Sequence, residues 1–202
     1  MFDAALRRHI DPPLNAAGHV LAGAGIGANQ MTLAGFACGL GAAIAIALGE
    51  TGVALILVIL NRIADGLDGA IARATRKSDL GGYLDIVLDF TFYGAVPFAF
   101  AVANPTTNAF PAAALLLAFY LNGATFLGFS VMAEKLGLKS NRQGSKSLYY
   151  LGGLAEGAET IAVFIGMCLF PDWFPPIAWS FAALCTVSAI ARLFLSVGML
   201  RQ

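Results

Sequence analysis

The stretch DGLDGAIARATRKSDLGGYLDIVLD, residues 65–89, decides the fold because it puts carboxylates inside two apolar helices. Asp65 and Asp68 are three residues apart and therefore lie on one face of a helix. Asp85 and Asp89 are four apart and share a face of the next helix. Four ionised aspartates at the centre of spanning helices would cost about 10 kcal/mol together, so they must face water, or one another with cations between them. Oxygen ligands from two helices favour Mg²⁺ or Mn²⁺, and two ions can share such a cluster.

The same stretch resembles the signature of the CDP-alcohol phosphotransferase family, integral-membrane enzymes of phospholipid head-group synthesis. The family pattern is Asp-x-x-Asp-Gly-x-x-Ala-Arg, a gap, and then Gly-x-x-x-Asp-x-x-x-Asp. The chain has DGLDGAIAR at 65–73 and GGYLDIVLD at 81–89, a complete match in residue type. The gap is seven residues, where the pattern has eight. Gly82 would restore the spacing but would leave the next aspartate one residue too close, so we take Gly81 as the motif glycine.

The composition is that of a membrane protein. Of the 202 residues, 58% are hydrophobic and only 12% are charged, whereas soluble domains have about 25% charged residues. The net charge is zero, which gives no indication of a nucleic-acid-binding face. We therefore expect residues 1–202 to form a single membrane domain with no nucleic acid as partner.

Six apolar runs are each long enough to cross the hydrocarbon core, which takes about 20 residues. They cover about residues 29–49, 52–74, 81–103, 109–133, 148–170 and 177–199. Residues 1–18 mix apolar side chains with Arg7 and Arg8, which predicts a short amphipathic helix on the membrane surface or, alternatively, a frayed basic terminus. Residues 19–28 are rich in glycine and alanine and predict a loop or the start of a helix. The expected fold is all-α: a polytopic protein with six transmembrane helices and an interfacial N-terminal helix.

The charges of the loops predict the orientation. The cationic residues of the termini and of alternate loops are Arg7, Arg8, Arg73, Arg76, Lys77, Lys135, Lys139, Arg142, Lys146 and Arg201. The intervening turns at 50–52, 104–108 and 171–176 contain no lysine or arginine, and in the last of them Trp173 and Phe174 are expected at headgroup depth. The positive-inside rule therefore predicts a multi-pass protein of the cytoplasmic (inner) membrane, with both termini in the cytoplasm and the carboxylates opening toward it.

The resemblance implies a reaction and roles for residues. It implies transfer of a substituted phosphate, a phosphatidyl group from CDP-diacylglycerol, to a small alcohol with release of CMP. Asp65, Asp68 and Asp85 would be ligands of two Mg²⁺ or Mn²⁺ ions, and Asp89 would be both ligand and general base. The residues implied to contact the nucleotide or its phosphates are Asn29, Thr32, Asp65, Gly69, Ala72, Arg73 and Gly81. Members of the family are commonly homodimers, which implies one here.

The acceptor alcohol is left open by the sequence. Lys146 and Arg192 would suit a phosphorylated acceptor, whereas Glu156 and Glu159 would suit an amine or polyol head group. The glutamates can also be interpreted as partners of Arg192 or Arg62, two arginines inside the spans, that stabilise the bundle. Asn29 has a similar alternative, because asparagine is a good helix N-cap.

A divalent-cation transporter is the alternative function, because intramembrane carboxylates often mark ion pathways. Transporters commonly bind near the midplane, on interrupted helices. The carboxylates of this chain lie in uninterrupted helix toward the predicted cytoplasmic side, which favours the enzyme. An inactive relative is a further possibility, against which the intact Asp89 argues.

Overall fold

The structure, a computed structural model, describes residues 2–137 and 157–200, with side chains from Ile10 onward. These two segments contain seven α-helices: α1 (Phe2–Gly23), α2 (Ala28–Ala47), α3 (Thr51–Ala74), α4 (Asp79–Ala103), α5 (Pro105–Lys135), α6 (Gly157–Leu169) and α7 (Phe174–Leu200). A 3₁₀ turn, Pro171–Trp173, joins α6 to α7. The predicted all-α fold is confirmed for the described part of the chain.

Four of the described helical segments are long and apolar enough to cross a membrane: α2, α4, α5, and Pro171–Leu200, which joins the 3₁₀ turn to α7. Helix α3 has 24 residues but carries four charged side chains, and the described part of α6 has only 13 residues. Large apolar side chains face outward; Phe110 is 83% exposed and Phe194 73%. A water-soluble surface rarely carries so much apolar area, so this is a helical membrane protein. Four spans follow from length and composition, against the six predicted.

Helix α1 is longer than the predicted interfacial segment and runs through Pro12 and Pro13 to Gly23. Only residues 24–27 separate it from α2, where Gly25 turns the chain with φ of +84°. The helix packs along α3. It therefore lies against the helix that carries Asp65 and Asp68.

Two helix starts differ from the prediction. Gly27, not Asn29, precedes the first turn of α2, because the Gln30 side chain reaches back and accepts a hydrogen bond from the Gly27 N–H at 2.9 Å. The turn predicted at 104–108 shrinks to Asn104, since Pro105 is preset for a first helical turn and α5 begins there.

Phe174, which the sequence predicts at headgroup depth, has its side chain inside the bundle. Its side chain is fully buried and stacks on Phe100, with ring centroids 4.4 Å apart and planes at 16°. Trp173, next to it, is 65% exposed. The helix begins at Phe174, so its side chain turns inward onto α4 while the tryptophan points out.

The core lies in the half of the bundle where α4 and α6 end and α7 begins. Phe92 of α4 meets Phe164 of α6 edge to face at 5.7 Å, and Phe119 of α5 meets Phe181 of α7 at 5.9 Å. Helix α2 packs against both α3 and α4, so it lies behind the two helices that carry the motif. The other half of the bundle, near the α3–α4 loop, holds the carboxylates.

Candidate active site

Three of the four motif aspartates converge. One carboxylate oxygen each from Asp65, Asp68 and Asp85 lies within 4.8 Å of the other two. Asp65 and Asp68 come from α3, and Asp85 comes from α4 across the short α3–α4 loop. Asp68 is buried, Asp65 is half-buried and Asp85 is exposed. The cluster is therefore closed to solvent at Asp68 and open to it at Asp85.

The cluster fits a divalent cation. Asp68 Oδ2 is buried and has no hydrogen-bond partner among the described residues. A buried carboxylate oxygen without a partner is costly, and a bound cation would satisfy it. Three carboxylates are also the hard oxygen donors that Mg²⁺ and Mn²⁺ prefer. The residues that would hold the ion are therefore Asp65, Asp68 and Asp85.

Asp89 lies beside this group without belonging to it. It lines the same pocket and interacts electrostatically with Asp65, Asp85 and Asp68. Its side chain is half-buried, one helical turn beyond Asp85. Asp89 therefore extends the group of carboxylates by one helical turn along α4.

An arginine lies among the carboxylates. Arg62, one turn before Asp65 on α3, forms an ion pair with it through Nη1 and Oδ2. The Arg62 side chain is 35% exposed. The sequence offered a glutamate as the partner of Arg62, and the structure pairs Arg62 with a motif aspartate.

The pocket wall comes from α2, α3 and α4. Its lining residues are Thr32, Gly35, Phe36, Asn61, Asp65, Asp68, Asp85, Leu88 and Asp89. Thr32 lies beside the Asp68 carboxylate, and its hydroxyl bonds Ala28 O at 3.0 Å. The structure thus places Thr32 in one pocket with the four aspartates, and the nucleotide contact that the resemblance implies for Thr32 stays a prediction.

Asn61 is a pocket residue that sequence reasoning missed. It is 6% exposed, and its Nδ2 donates to Gly35 O of α2 at 2.9 Å, which ties α2 to α3 beside the carboxylates. A signal was present, because Asn61 precedes Asp65 by four residues and shares its helix face.

The structure supports the choice of Gly81 over Gly82. A Cβ on Gly81 would stand 3.0 Å from Asn29 Oδ1 and 3.1 Å from Ser78 Oγ, whereas one on Gly82 would meet nothing within 4 Å. Ser78 caps α4 by accepting from the Gly81 N–H at 3.0 Å. Asn29 and Gly81 therefore meet where α2 and α4 begin.

Arg73 lies folded along its own helix and reaches α1. Its Nε and Nη2 both donate to Asn15 Oδ1, at 3.1 and 2.8 Å. A Cβ on Gly69 would stand 3.2 Å from Arg73 Nη1, so the glycine leaves room for the guanidinium. Ala72, next to Arg73, is half-buried. No feature of the sequence predicted that Asn15 joins this group.

The predicted acceptor residues are only partly described. Lys146 and Glu156 lie outside the described residues, and Glu159 is half-buried in the first turn of α6. Arg192 is 6% exposed, and its Nη1 donates to Asn122 Oδ1 at 2.9 Å and to Asn122 O at 3.0 Å. Its guanidinium also lies 5.8 Å from the centre of the Phe126 ring.

Comparisons with known proteins agree with this geometry. A family model described as CDP-alcohol phosphatidyltransferase matches residues 26–197. Inner membrane protein YnjF of Escherichia coli is 46% identical over 194 residues, 96% of this chain and 94% of that protein. Archaetidylinositol phosphate synthase of Pyrococcus horikoshii is 31% identical over 166 residues, 82% of this chain and 81% of that protein.

Solved structures share the fold. Mycobacterium tuberculosis phosphatidylinositol phosphate synthase with CDP-DAG bound has a TM-score of 0.70 and 20% identity, covering 91% of this chain and 92% of that one. The same synthase in complex with manganese and citrate has a TM-score of 0.69. The helical arrangement is therefore common to both proteins.

Proposed function

The chain belongs to the CDP-alcohol phosphatidyltransferase family, and from this we propose that it transfers a phosphatidyl group from CDP-diacylglycerol to a small alcohol, releasing CMP. The observation that carries the proposal is the convergence of three carboxylate oxygens within 4.8 Å beside Asp89. The solved structure of a protein with the same fold contains CDP-DAG, which supports this donor. The product would be a phospholipid.

The carboxylates define the metal half of the proposed site. Asp65, Asp68 and Asp85 would hold a divalent cation, and Asp89 would complete the oxygen donors needed for a second. When bound there, Mg²⁺ or Mn²⁺ neutralises the diphosphate and stabilises the leaving CMP. The manganese in the related fold supports this class of metal.

Asp89 is the proposed general base. The acceptor hydroxyl gives its proton to Asp89 as its oxygen bonds to the β-phosphorus of the CDP-alcohol. The bond from that phosphorus to the bridging oxygen breaks, and CMP leaves with the electron pair. Asp89 suits this role because it lines the pocket next to the three clustered carboxylates yet stands apart from them.

The nucleotide half of the proposed site lies where α2, α3 and α4 meet the loops. Arg73 binds a phosphate through its guanidinium, and Thr32 contacts the nucleotide beside Asp68. The other residues proposed to contact the nucleotide are Asn29, Asp65, Gly69, Ala72 and Gly81. The meeting of Asn29 with Gly81 supports their common role.

The proposed acceptor is a phosphorylated alcohol. A guanidinium suits a phosphate group because it offers paired N–H donors to two phosphate oxygens. Arg192 is buried, and its partner Asn122 precedes Gly123, which packs on Phe90, the neighbour of Asp89. These contacts connect Arg192 to the helix that carries Asp89, and they support Arg192 as a residue of the acceptor pocket. The name of the Pyrococcus horikoshii relative also supports a phosphorylated acceptor; Lys146, Glu156 and Glu159 are proposed as further residues of this pocket.

The protein is proposed to be a homodimer in the inner membrane, with residues 1–202 as one domain. We propose six spans, adding α3 and α6 to the four apolar segments, and α1 as an interfacial helix. Asp65 is about 14 Å along α3 from Ala74, and Asp89 about 15 Å along α4 from Asp79. Loop charge puts these ends, and both termini, in the cytoplasm. The water-soluble head of the donor then arrives from that side.

The test is CMP release by the purified protein in detergent. CDP-diacylglycerol, Mg²⁺ or Mn²⁺, and one acceptor at a time are supplied: glycerol phosphate, inositol phosphate, inositol, serine, choline or ethanolamine. We expect metal-dependent CMP release with a phosphorylated acceptor, abolished by EDTA. CMP release only with an unphosphorylated acceptor would contradict the proposed phosphorylated acceptor, but it would still support phosphatidyl transfer.

The same preparation tests the alternative function, a divalent-cation transporter. Vesicles containing the protein and an internal Mn²⁺-sensitive dye would report metal entry. We expect no protein-dependent entry. Metal entry without CMP release from any acceptor would replace the transferase by the transporter.

A further inference from the structure

Helix α1 reaches the motif through the polar side chain of Asn15. Asn15 Oδ1 accepts two hydrogen bonds from Arg73, at 2.8 Å from Nη2 and 3.1 Å from Nε. Arginine has five N–H donors in a planar fork. Asn15 occupies two of them, both on one edge, and the outer edge between Nη1 and Nη2 keeps two donors for another acceptor.

The packing at Gly69 shows where one nitrogen of that outer edge lies. A Cβ on Gly69 would come within 3.2 Å of Arg73 Nη1, so Nη1 lies against the helix one turn before its own Cα. Gly69 directly follows Asp68, the buried member of the carboxylate cluster. The free edge of the guanidinium is therefore held beside the helix turn that carries the proposed metal site.

The position of Asn15 is itself fixed by close packing. A Cβ on Gly18 would stand 2.6 Å from Ala70 Cβ, and one on Gly66 would stand 2.7 Å from Leu14 Cδ1. Both distances are shorter than a real contact between two carbon atoms. Helices α1 and α3 therefore approach as closely as glycine allows on both sides of Asn15. The asparagine is thus a fixed support, whereas the arginine that it holds is exposed.

We propose that Asn15 is a positioning residue that holds Arg73 with its outer edge toward the diphosphate of the CDP-alcohol, which makes α1 part of the nucleotide half of the site. An exposed arginine samples many rotamers, and ordering it before the ligand arrives reduces the entropy lost on binding. The inference rests on the proposed function, in particular on phosphate binding by Arg73.

The test uses Asn15→Leu, which keeps the size and removes the acceptor, and Asn15→Asp, which keeps an acceptor oxygen. Two quantities are measured: the KM and kcat for CDP-diacylglycerol, and the affinity for CMP with Mn²⁺ by calorimetry. We expect Asn15→Leu to raise KM and weaken CMP binding about tenfold, with kcat within about twofold. Asn15→Asp should stay within about threefold of the parent, and so should the control His19→Ala, an exposed residue one turn further along α1.

A double-mutant cycle with Arg73→Gln separates positioning from a general packing role. If Asn15 acts through Arg73, Asn15→Leu has no further effect on CMP affinity in the Arg73→Gln background. Additive losses in that background, or an unchanged CMP affinity in Asn15→Leu alone, would overturn the inference.

The cycle also distinguishes this inference from the proposed function. If Arg73→Gln leaves CMP affinity unchanged, the phosphate role of Arg73 is wrong and the positioning role falls with it. If Arg73→Gln weakens CMP binding while Asn15→Leu does not, only the positioning role is wrong. CMP binding is measured without turnover, so the result stands even if the acceptor has been chosen wrongly.

Discussion

The two halves of α4 differ in what surrounds them. Its buried residues all lie beyond Asp89: Phe92, Val96, Pro97, Ala99 and Phe100. The first half, from Asp79 to Asp89, contributes the two motif aspartates and no buried side chain. One continuous helix is therefore packed along its second half and open along its first. The packed half fixes the position of the carboxylates, and the open half leaves them accessible to ligands.

The two halves also differ in their energetics. In the packed half, Phe92 contacts Tyr93 and Phe164, and apolar shape complementarity stabilises the bundle. In the open half, like charges oppose one another with Arg62 as a counter-ion. Mutations in the first half should thus change activity more than stability, and mutations in the second half should do the reverse.

The largest expected effect comes from neutralising the open half. Asp89→Asn should lower CMP release about 10²–10⁴-fold, because the amide cannot accept the proton of the acceptor. Thermal unfolding should be unchanged or shifted upward, since one of four neighbouring negative charges is removed. Asp79→Asn is the matched control: an exposed aspartate on the same helix, outside the motif, that should keep activity within about twofold. Retention of a tenth of the activity by Asp89→Asn would remove the general-base role.

The second prediction concerns a core side chain in the packed half of α4. Phe92 is 1% exposed, so Phe92→Ala should lower the free energy of unfolding by about 3–5 kcal/mol through the cavity that it leaves. Unfolding is followed by SDS titration in mixed micelles, and CMP release is expressed per folded protein. Phe98→Ala, at a position that is 62% exposed, should cost less than about 0.5 kcal/mol. Equal losses from both would mean that the two faces of α4 are packed alike.

Sequence reasoning found the four aspartates because their evidence is local. Carboxylates at i, i+3 and i, i+4 inside apolar runs must share a helix face, whatever the tertiary structure. Helix boundaries followed from apolar length, so α3 and α4 were predicted to within two residues at either end. Oxygen ligands on two successive helices predicted one cluster, and three of the four aspartates converge.

The rest depends on contacts between distant segments. The Asn15–Arg73 pair joins residues 58 apart, and the Asn61–Gly35 bond joins residues 26 apart. The burial of Phe174 was not predicted for the same reason, because it depends on its partner Phe100 in a distant segment. Periodicity reports which face of a helix is apolar, and it does not report which neighbour that face meets.

A smaller effect is expected at Gly39 of α2, which packs against both the packed half of α4 and the pocket wall. We call this contact the seam. A Cβ on Gly39 of α2 would stand 2.8 Å from Phe92 Cδ2 and 3.1 Å from Asn61 Nδ2, so it would push on the packed half and on the pocket wall together. Gly39→Ala should cost about 1–3 kcal/mol in unfolding free energy. Gly82→Ala, which meets nothing within 4 Å, should be neutral or slightly stabilising because alanine favours the helix. A neutral Gly39→Ala would show that the seam can relax.

The smallest effect sharpens the electrostatic side of the comparison. Arg62 forms an ion pair with Asp65, so it shares with a bound cation the role of neutralising that carboxylate. Arg62→Gln removes a competing positive charge, and we expect Mn²⁺ to bind about threefold more tightly, a modest gain because the side chain is 35% exposed and screened by solvent. Mn²⁺ titration followed by electron paramagnetic resonance measures this directly, with Arg76→Gln in the exposed α3–α4 loop as the matched loss of charge. Weaker Mn²⁺ binding in Arg62→Gln would mean that the arginine orients Asp65 toward the metal, and the open half of α4 would then depend on α3 for geometry as well as for charge.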